Sequence, residues 1–305
     1  MNLEIEEKQA TIFDIQRFSI HDGPGIRTTI FFKGCPLRCR WCQNPESHKS
    51  GIEVAFYKER CAFCFDCKDV CPEDAILESE DVRINFDHCS TCGQCVSACM
   101  NDALRLVGKR WNALTLLDEV LKDKDFFDDS EGGITLSGGE PTMYSAFLRE
   151  FLPLVKKEGV HVNMETCGMF KWDNINSILP FLDLIFYDLK LMDSKMHQIY
   201  TGVDNTMIIE NLSKLAVNFS NLQARMPVIP TINDTQDNIA DTVRLLKKNN
   251  LETIHLLPYH NLGEAKLPGI KTDLEPLDLP TDNGVYLLSA KKLFENQGIY
   301  VILCD

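Results

Sequence analysis

The chain has 305 residues, 44% of them hydrophobic and 25% charged, enough to bury a sizeable core in one large domain with a smaller insert. Its formal charge of −14 and its pI near 5.0 argue against a generic binder of phosphate backbones, because no basic stripe is present to release counterions. No apolar run approaches the roughly 20 residues of a membrane helix, and the acidic start MNLEIEEKQA lacks a stretch of signal-peptide type. We therefore expect a cytoplasmic protein with neither nucleic acid nor membrane as partner.

Cysteine is the most informative residue type in the composition. Of the 13 cysteines, 11 lie between Cys35 and Cys99, in groups of three, four and four. Clustered thiols in a long chain of this kind indicate metal binding rather than a disulfide framework. The remaining two, Cys167 and Cys304, are predicted to be ordinary buried thiols.

The first predicted elements are two strands, Thr11–Ile20 and Ile26–Lys33, which are rich in β-branched and aromatic residues and separated by the turn HDGPG. The second strand leads into GCPLRCRWCQNPE, where Cys35, Cys39 and Cys42 have C-x3-C-x2-C spacing. A structural tetrahedral metal takes four protein ligands, whereas an iron–sulfur cubane held by three thiolates leaves one iron open. We therefore predict a cluster whose open iron binds a substrate.

The next segment, residues 53–106, has the texture of an inserted module. CAFCFDCKDVCP and CSTCGQCVSAC each match C-x2-C-x2-C-x3-C, the spacing of bacterial two-cluster ferredoxins, in which the fourth thiol of each run ligates the other cluster. The predicted ligand sets are Cys61, Cys64, Cys67 and Cys99 for one cubane, and Cys89, Cys92, Cys95 and Cys71 for the second. A pair of structural zinc sites is the alternative.

From residue 107 onward, predicted strands and helices alternate, which indicates βα units and a parallel sheet. The predicted strands are Ile134–Ser137, Val160–Glu165, Leu182–Asp188, Leu222–Val228, Thr253–Pro258 and Tyr300–Leu303. The predicted helices are Ala113–Lys122, Tyr144–Lys157, Ile208–Asn218, Asp237–Asn249 and Val285–Asn296. This pattern favours an α/β fold, a partial (β/α)6 TIM-like barrel, with its active site at the carboxyl ends of the strands. The expected organisation is residues 1–52 for the first strands and cluster loop, 53–106 for a ferredoxin-like insert and 107–305 for the rest of the barrel.

Four sequence motifs together resemble a known family. They are FSIHDGPGIRTTIFFKGCPLRCRWCQNPE, LSGGEP at Leu136–Pro141, YDLK at Tyr187–Lys190 and LLPYHNLG at Leu256–Gly263. With Trp41 before the third cysteine, the cluster motif resembles that of the radical S-adenosylmethionine (SAM) superfamily. The set as a whole, from about Thr11 to His260, resembles the activating enzymes of glycyl radical enzymes, most of which carry a ferredoxin insert.

The resemblance implies an enzyme that reductively cleaves SAM at a [4Fe-4S] cluster and takes a hydrogen atom from a backbone glycine of a partner glycyl radical enzyme. The implied cofactors are three [4Fe-4S] clusters, SAM and a monovalent cation. The implied electron donor is of flavodoxin or ferredoxin type, and the free chain is expected to be a monomer. Oxygen sensitivity and an anaerobic host follow from the exposed iron. No residue selects the reaction of the partner.

The resemblance also assigns roles to individual residues. The predicted catalytic residues are Cys35, Cys39, Cys42 and Lys190. The predicted SAM-pocket residues are Trp41, Gly138, Gly139, Glu140, Glu165, Asp188, Lys190, Arg225 and His260. Trp41 would pack on the adenine, Gly138 to Glu140 would meet the methionyl amine, and Glu165 would lie at the cation site. Asp22 and Arg27 would face the glycine loop of the partner.

Two alternatives stand beside this interpretation. The chain is either another radical SAM enzyme, acting on a small molecule or a different peptide, or a multi-cluster electron-transfer protein. Within the preferred interpretation, the insert either relays electrons or docks the partner, and the sequence does not separate these roles.

Overall fold

The computed structural model of the protein describes residues 8–281 and 284–304. The strands of these residues are β1 (Ala10–Ser19), β2 (Arg27–Phe32), β3 (Glu53–Phe56), β4 (Leu104–Val107), β5 (Lys109–Trp111), β6 (Gly133–Gly138), β7 (His161–Thr166), β8 (Leu184–Asp188), β9 (Leu222–Val228), β10 (Thr253–Pro258) and β11 (Tyr300–Leu303). The helices are α1 (Asp66–Asp69), α2 (Gln94–Ala98), α3 (Ala113–Val120), α4 (Lys124–Ser130), α5 (Ser145–Lys157), α6 (Trp172–Asn176), α7 (Ser194–Thr201), α8 (Thr206–Asn218), α9 (Gln236–Lys248) and α10 (Val285–Glu295).

A nine-stranded sheet forms the centre of the fold, in the order β11-β10-β9-β8-β7-β6-β2-β1-β5. Every pair from β11 to β2 is parallel, whereas β1 is antiparallel to both β2 and β5. Helices connect successive parallel strands, as right-handed βα crossovers require. In the described residues the edge strands β11 and β5 do not pair with each other, so the sheet is not a closed barrel. The predicted α/β class with a parallel sheet is confirmed.

The main core lies between the sheet and the helices that cover it. Parallel strands are buried on both faces, which explains their continuous apolar runs such as LIF in β8. Helices α5 and α9 pack an apolar face on the sheet, and the Thr235 side chain caps α9 by accepting from the amide of Asn238. No helix in the described part of the chain has the length and apolarity that crossing a membrane requires.

The predicted strands and long helices differ from the observed ones by one or two residues at most ends. The sequence analysis missed β3, β4 and β5 and the short helices α1, α2, α4, α6 and α7. Elements of three to eight residues have too few positions to show a period, and β5 is a charged edge segment that forms only by pairing with β1.

The segment between β2 and β5 has its own small sheet and core. Its first and last strands, β3 and β4, pair antiparallel, and Ile76 forms an isolated bridge with Ile84. These residues pack in a hydrophobic cluster distinct from the main core. A buried ion pair joins the segment to the sheet, because Lys33 Nζ lies 2.7 Å from Glu53 Oε1. The domain boundaries 1–52, 53–106 and 107–305 stay a prediction.

Candidate active site

A cavity of about 210 Å³ opens at the carboxyl ends of the parallel strands. Residues that end or follow β2, β6, β7, β8, β9 and β10 line it, so the sheet curves around this space. The predicted residues among its lining are Cys35, Cys39, Trp41, Cys42, Gly138, Gly139, Glu165, Asp188, Lys190, Arg225 and His260. The carboxyl-end position is the one that αβ barrels use for their active sites. We call this space the first cavity.

Backbone hydrogen bonds hold the three-cysteine loop against α7. The amide of Arg38 donates to the carbonyl of Thr201 at 2.7 Å, and the amide of Arg40 donates to Tyr200 at 3.0 Å. Burial raises the pKa of Cys39 to about 12 and raises that of Cys42 as well. Since thiolates are the ligands of iron, a metal centre bound here must displace these protons.

The two glycines after β6 are required by a close backbone approach. Gly138 has a φ of +97°, and a Cβ on Gly139 would lie 2.1 Å from the carbonyl oxygen of Gly34. The amide of Gly139 donates to Phe32 at 2.8 Å, and the amide of Glu140 donates to Gly34 at the same distance. The glycine loop is therefore packed directly on the start of the cysteine loop, and both loops border the first cavity.

Glu140 is placed differently from the prediction. Its side chain is fully buried, it does not line the first cavity, and burial raises its pKa. One carboxylate oxygen accepts from the hydroxyl of Thr142 at 2.7 Å, and the other accepts from the hydroxyl of Thr166 and the amide of Cys167, both at 2.9 Å. Because protein donors already occupy both oxygens, Glu140 fixes the loop after β7 instead of meeting a ligand amine.

Four charged side chains and a serine form a continuous network on the wall of the first cavity. Arg225 donates to Asp188 at 2.9 Å and pairs with Glu165, and Lys190 Nζ lies 3.3 Å from Asp188. Ser137 donates to Glu165 at 2.6 Å. Asp188 and Lys190 thus face the same side, as their spacing of two predicts. We call these five residues the charged network.

The charges within this network compensate one another. Burial disfavours the charged form of Asp188, but Lys190 and Arg225 outweigh this effect and hold its pKa below the usual value. Burial also acts against the charge of Lys190, yet Asp188 raises the pKa of Lys190 above its usual value. Asp188, Lys190 and Arg225 therefore stay ionised. The wall of the first cavity can bind both the ammonium and the carboxylate of a zwitterionic ligand.

Trp41 and His260 contribute two rings to the lining of the first cavity. The Trp41 ring is buried, with its centroid 6.1 Å from that of Tyr200. His260 is half-buried just beyond the end of β10. Both line the first cavity as predicted, and Trp41 offers a flat apolar surface on which an aromatic ligand could stack.

Cys167 is a site residue that the sequence analysis missed. It is buried as predicted, but it also lines the first cavity and shares a side-chain hydrogen bond with Cys35, which lowers the pKa of Cys35. Burial, together with that bond, raises the pKa of Cys167. Its position directly after β7, at the carboxyl end of a parallel strand, was the signal that could have identified it.

The burial of Arg27 contradicts its predicted contact with a partner. Its side chain is fully buried, and its guanidinium donates to the hydroxyl of Thr135 at 2.6 Å and to the carbonyl of Pro24 at 2.9 Å. Arg27 therefore holds the DGPG turn against β6. Asp22 differs, because it lies on the wall of a second, larger space.

This second cavity, of about 750 Å³, adjoins the first and shares Ser137, Glu165 and Arg225 with it. One wall comes from β1 and the turn after it, including Phe18 and Asp22. Another part of the lining comes from the segment between β2 and β5, including Tyr57, Arg105 and Leu106. The sheet and this segment therefore build the second cavity together.

The eight cysteines between β3 and β4 separate into two groups around two small cavities. One cavity is lined by Cys61, Cys64, Cys67 and Cys99, and the other by Cys71, Cys89, Cys92 and Cys95. These are the two crossed sets that the sequence predicts. In the described residues no three or more His, Cys, Asp or Glu side chains are arranged to hold a single metal ion.

Comparison with known proteins identifies the family. The sequence model of the Radical SAM superfamily matches residues 29–246. The isethionate sulfite-lyase activating enzyme of Oleidesulfovibrio alaskensis is 42% identical over 271 residues, which are 86% of this chain and 87% of the relative. The trans-4-hydroxy-L-proline dehydratase activating enzyme of Clostridioides difficile is 38% identical over 288 residues, 93% and 95% of the two chains.

A third relative covers almost the whole chain. The 4-hydroxyphenylacetate decarboxylase activating enzyme of Clostridioides difficile is 36% identical over 303 residues, 96% of each chain. The matches span both the parallel sheet and the cysteine-rich segment. The chain therefore belongs to the radical SAM superfamily and, within it, to the activating enzymes of glycyl radical enzymes.

Proposed function

We propose that the first cavity holds SAM beside a [4Fe-4S] cluster ligated by Cys35, Cys39 and Cys42. The observation that carries the proposal is that the three thiols, the glycine loop and the charged network line one cavity. When bound, the cluster and SAM supply the 5′-deoxyadenosyl radical with which an activating enzyme takes hydrogen from a glycine of its partner.

The residues of the chain bind and orient this cofactor. The backbone at Gly138 and Gly139 would accept hydrogen bonds from the methionyl amine, and Glu140 would fix the neighbouring loop. Arg225 and Lys190 present positive charge for the methionyl carboxylate. Trp41 would pack on the adenine, and His260 would lie near the sugar.

The monovalent cation stays a prediction. Glu165 and Thr166 both line the first cavity, at the position where the resemblance implies a cation. Glu165 and Asp188 already share the guanidinium of Arg225, however, so their negative charge is partly compensated without a cation. Activity measured in potassium, sodium and choline salts at equal ionic strength would test the prediction.

We further propose that residues 53–106 form a ferredoxin-like insert in a partial (β/α)6 barrel and hold two additional [4Fe-4S] clusters. Support comes from the separation of the eight thiols into the two sets predicted from spacing. Three cubanes require about twelve irons and twelve acid-labile sulfides per chain. Zinc in place of the insert iron, without sulfide, would contradict the proposal.

The second cavity is the proposed site of the glycine-bearing loop of the partner. It adjoins the first cavity, and Asp22, for which the resemblance implies a contact with this loop, lies on its wall, whereas Arg27 supports the turn from behind. The exposed Arg105 and half-buried Tyr57 give the insert a share of this surface. We expect Arg105→Glu to raise the KM for the partner and leave SAM cleavage without partner unchanged.

The partner is proposed to be a glycyl radical enzyme of the kinds that the relatives activate. Those relatives are named for isethionate sulfite-lyase, trans-4-hydroxy-L-proline dehydratase and 4-hydroxyphenylacetate decarboxylase, and their similar identities do not select one. A flavodoxin or ferredoxin-type electron donor, a monomeric free state and a cytoplasmic location stay predictions.

A single anaerobic experiment tests the function. The reconstituted protein, dithionite, SAM and a candidate partner are mixed, 5′-deoxyadenosine is measured by chromatography, and the partner is examined by electron paramagnetic resonance. We expect a glycine-centred doublet only when partner, SAM and reductant are all present. Absence of 5′-deoxyadenosine would favour an electron carrier. Turnover of SAM with a small molecule, but with no candidate partner, would favour another radical SAM reaction.

A further inference from the structure

Arg83 occupies an unusual position within the insert. Its side chain is only 1% exposed, and its guanidinium carbon lies 5.4, 5.2 and 4.6 Å from the ring centroids of Phe56, Phe63 and Phe65. One terminal nitrogen lies 3.7 Å from Cys61 Sγ. The guanidinium is therefore enclosed by three aromatic rings and directed at one of the thiols assigned to a cluster.

The charge of Arg83 has no carboxylate partner in the described part of the chain. The ion pairs of these residues do not include it, its Nη1 donates to the carbonyl of Leu77 at 3.1 Å, and its Nε has no hydrogen-bond partner. The carboxylate of Glu78 acts on Arg83 only from beyond ion-pair distance. A buried charge without a close counter-ion is costly, and cation–π contacts with three rings offset only part of that cost. The arrangement needs an anion, and a thiolate-ligated cluster beside Cys61 is an anion in the right place.

The two sets of insert cysteines differ in this respect. The cavity of Cys61, Cys64, Cys67 and Cys99 includes Arg83 in its lining. The cavity of Cys71, Cys89, Cys92 and Cys95 has apolar neighbours such as Val54, Ile76 and Ile84, and the carboxylate of Glu73 is the one charged side chain that the described residues contribute to its lining. A cation stabilises the more negative, reduced form of a nearby cluster, and a carboxylate destabilises it.

We propose that Arg83 makes the cluster on Cys61, Cys64, Cys67 and Cys99 the first of the two insert clusters to be reduced. The inference rests on the proposed presence of both clusters. Reduction adds one electron to that cluster, donated by dithionite in the test or by the external donor in the cell, and no bond to a ligand is broken. Arg83 acts on the cluster through its charge, as a tuning residue without direct part in SAM cleavage.

The first experiment identifies the clusters in a redox titration followed by electron paramagnetic resonance. The full chain carries C35S, C39S and C42S, so that only the insert clusters contribute. Cys64→Ala and Cys92→Ala are a matched pair, because both are exposed and hold the same position in their runs. We expect the signal with the higher midpoint to be lost in C64A and kept in C92A. Loss of that signal in C92A and its retention in C64A would overturn the proposal, and this test needs no substitution of Arg83.

The second experiment removes the charge. In the same background, Arg83→Gln should lower the reduced-to-oxidised ratio of that cluster at least tenfold at fixed potential, equivalent to 59 mV for one electron. Arg83→Lys should lower this ratio less than Arg83→Gln does, and the reduced-to-oxidised ratio of the second cluster should stay the same in both variants. Arg60→Gln is the control, since Arg60 also lies over one ring, at 5.2 Å from Tyr57, but is exposed.

The outcomes separate this inference from the proposed function. If the protein that keeps Arg83 lacks the iron and sulfide expected for the insert, the proposal that the insert holds two clusters is contradicted. Full iron and sulfide with an unchanged midpoint in R83Q would overturn the role of Arg83 alone. If R83Q does not assemble the cluster, the comparison of C64A with C92A still decides which cluster is reduced first.

Discussion

The first cavity and the insert hold thiols in opposite surroundings. In the first cavity, Cys35, Cys39 and Cys42 face a charged network in which each carboxylate has a cationic partner. In the insert, the thiols face mainly apolar side chains, and the buried cation Arg83 has no carboxylate within ion-pair distance among the residues that the structure describes.

This difference separates two tasks. A wall of compensated charges can exchange its internal partners for the polar ends of a ligand at little cost, which suits a site that binds and releases SAM. Apolar walls offer no such exchange, and they suit clusters that remain in place and change only their charge. The first cavity is therefore suited to binding and releasing a ligand, and the insert is suited to keeping its proposed clusters in place.

Loss of a thiol should have the largest effect and should break the comparison most clearly. We expect Cys39→Ala to lower 5′-deoxyadenosine formation more than about 1,000-fold, because the cofactor supplies the difficult chemistry. Cys92→Ala should lower it less than about 3-fold with dithionite as reductant, because the clusters proposed for the insert would not contact SAM. Equal losses in both variants would show that the insert is part of the cleavage site.

Loss of one carboxylate should have the next largest effect. Asp188→Asn leaves Arg225 and Lys190 partly uncompensated, and breaking a buried pair in this way costs about 3–5 kcal/mol of stability. SAM affinity, measured by equilibrium binding to the reconstituted protein, should fall at least about tenfold. Asp81→Asn in the insert is the control, because its ion pair with Lys58 is exposed and its loss should change neither quantity.

The sequence was sufficient for those parts of the site that follow from spacing along the chain. Short spacings along the sequence predict three features: the cysteine sets of the insert, the common direction of Asp188 and Lys190, and the position of His260 after a strand. Most strands were predictable because buried parallel strands are continuous apolar runs.

Other features depend on contacts between distant segments and give no local signal. Arg83 is separated by 22 residues from Cys61, and nothing around it marks it as buried. Arg27 and Glu140 belong to motifs of the family, but the sequence did not show that their polar atoms are satisfied inside the protein. Cys167 was indistinguishable from an ordinary buried thiol until the sheet brought it beside Cys35.

A smaller effect is expected from Arg27 and Arg83, two buried arginines outside the charged network, and it sharpens the comparison. Arg27 is satisfied by a hydroxyl and backbone carbonyls, so Arg27→Met should cost about 1–3 kcal/mol in both iron-free and reconstituted protein. Arg83 donates to one backbone carbonyl but has no carboxylate within ion-pair distance in the described residues, so Arg83→Met should destabilise the reconstituted protein, with its proposed cluster beside Cys61, more than the iron-free one. Urea unfolding of both forms measures this, and an equal cost for Arg83→Met in both would contradict the difference.

The smallest effect is a pH dependence that should arise in the sheet, at His255 of β10. Burial lowers the pKa of His255, and the charge of Arg225 lowers it further. The unfolded chain therefore binds a proton near pH 6.5 that the folded chain takes up only at lower pH, so this stabilisation is complete above that value and is lost as the pH falls below it. His255→Gln should flatten the decrease in unfolding free energy between pH 7.5 and pH 5.5, because glutamine has no proton to take up in this range. Urea unfolding at intervals of pH measures these slopes, and an unchanged slope in His255→Gln would mean that another group is responsible.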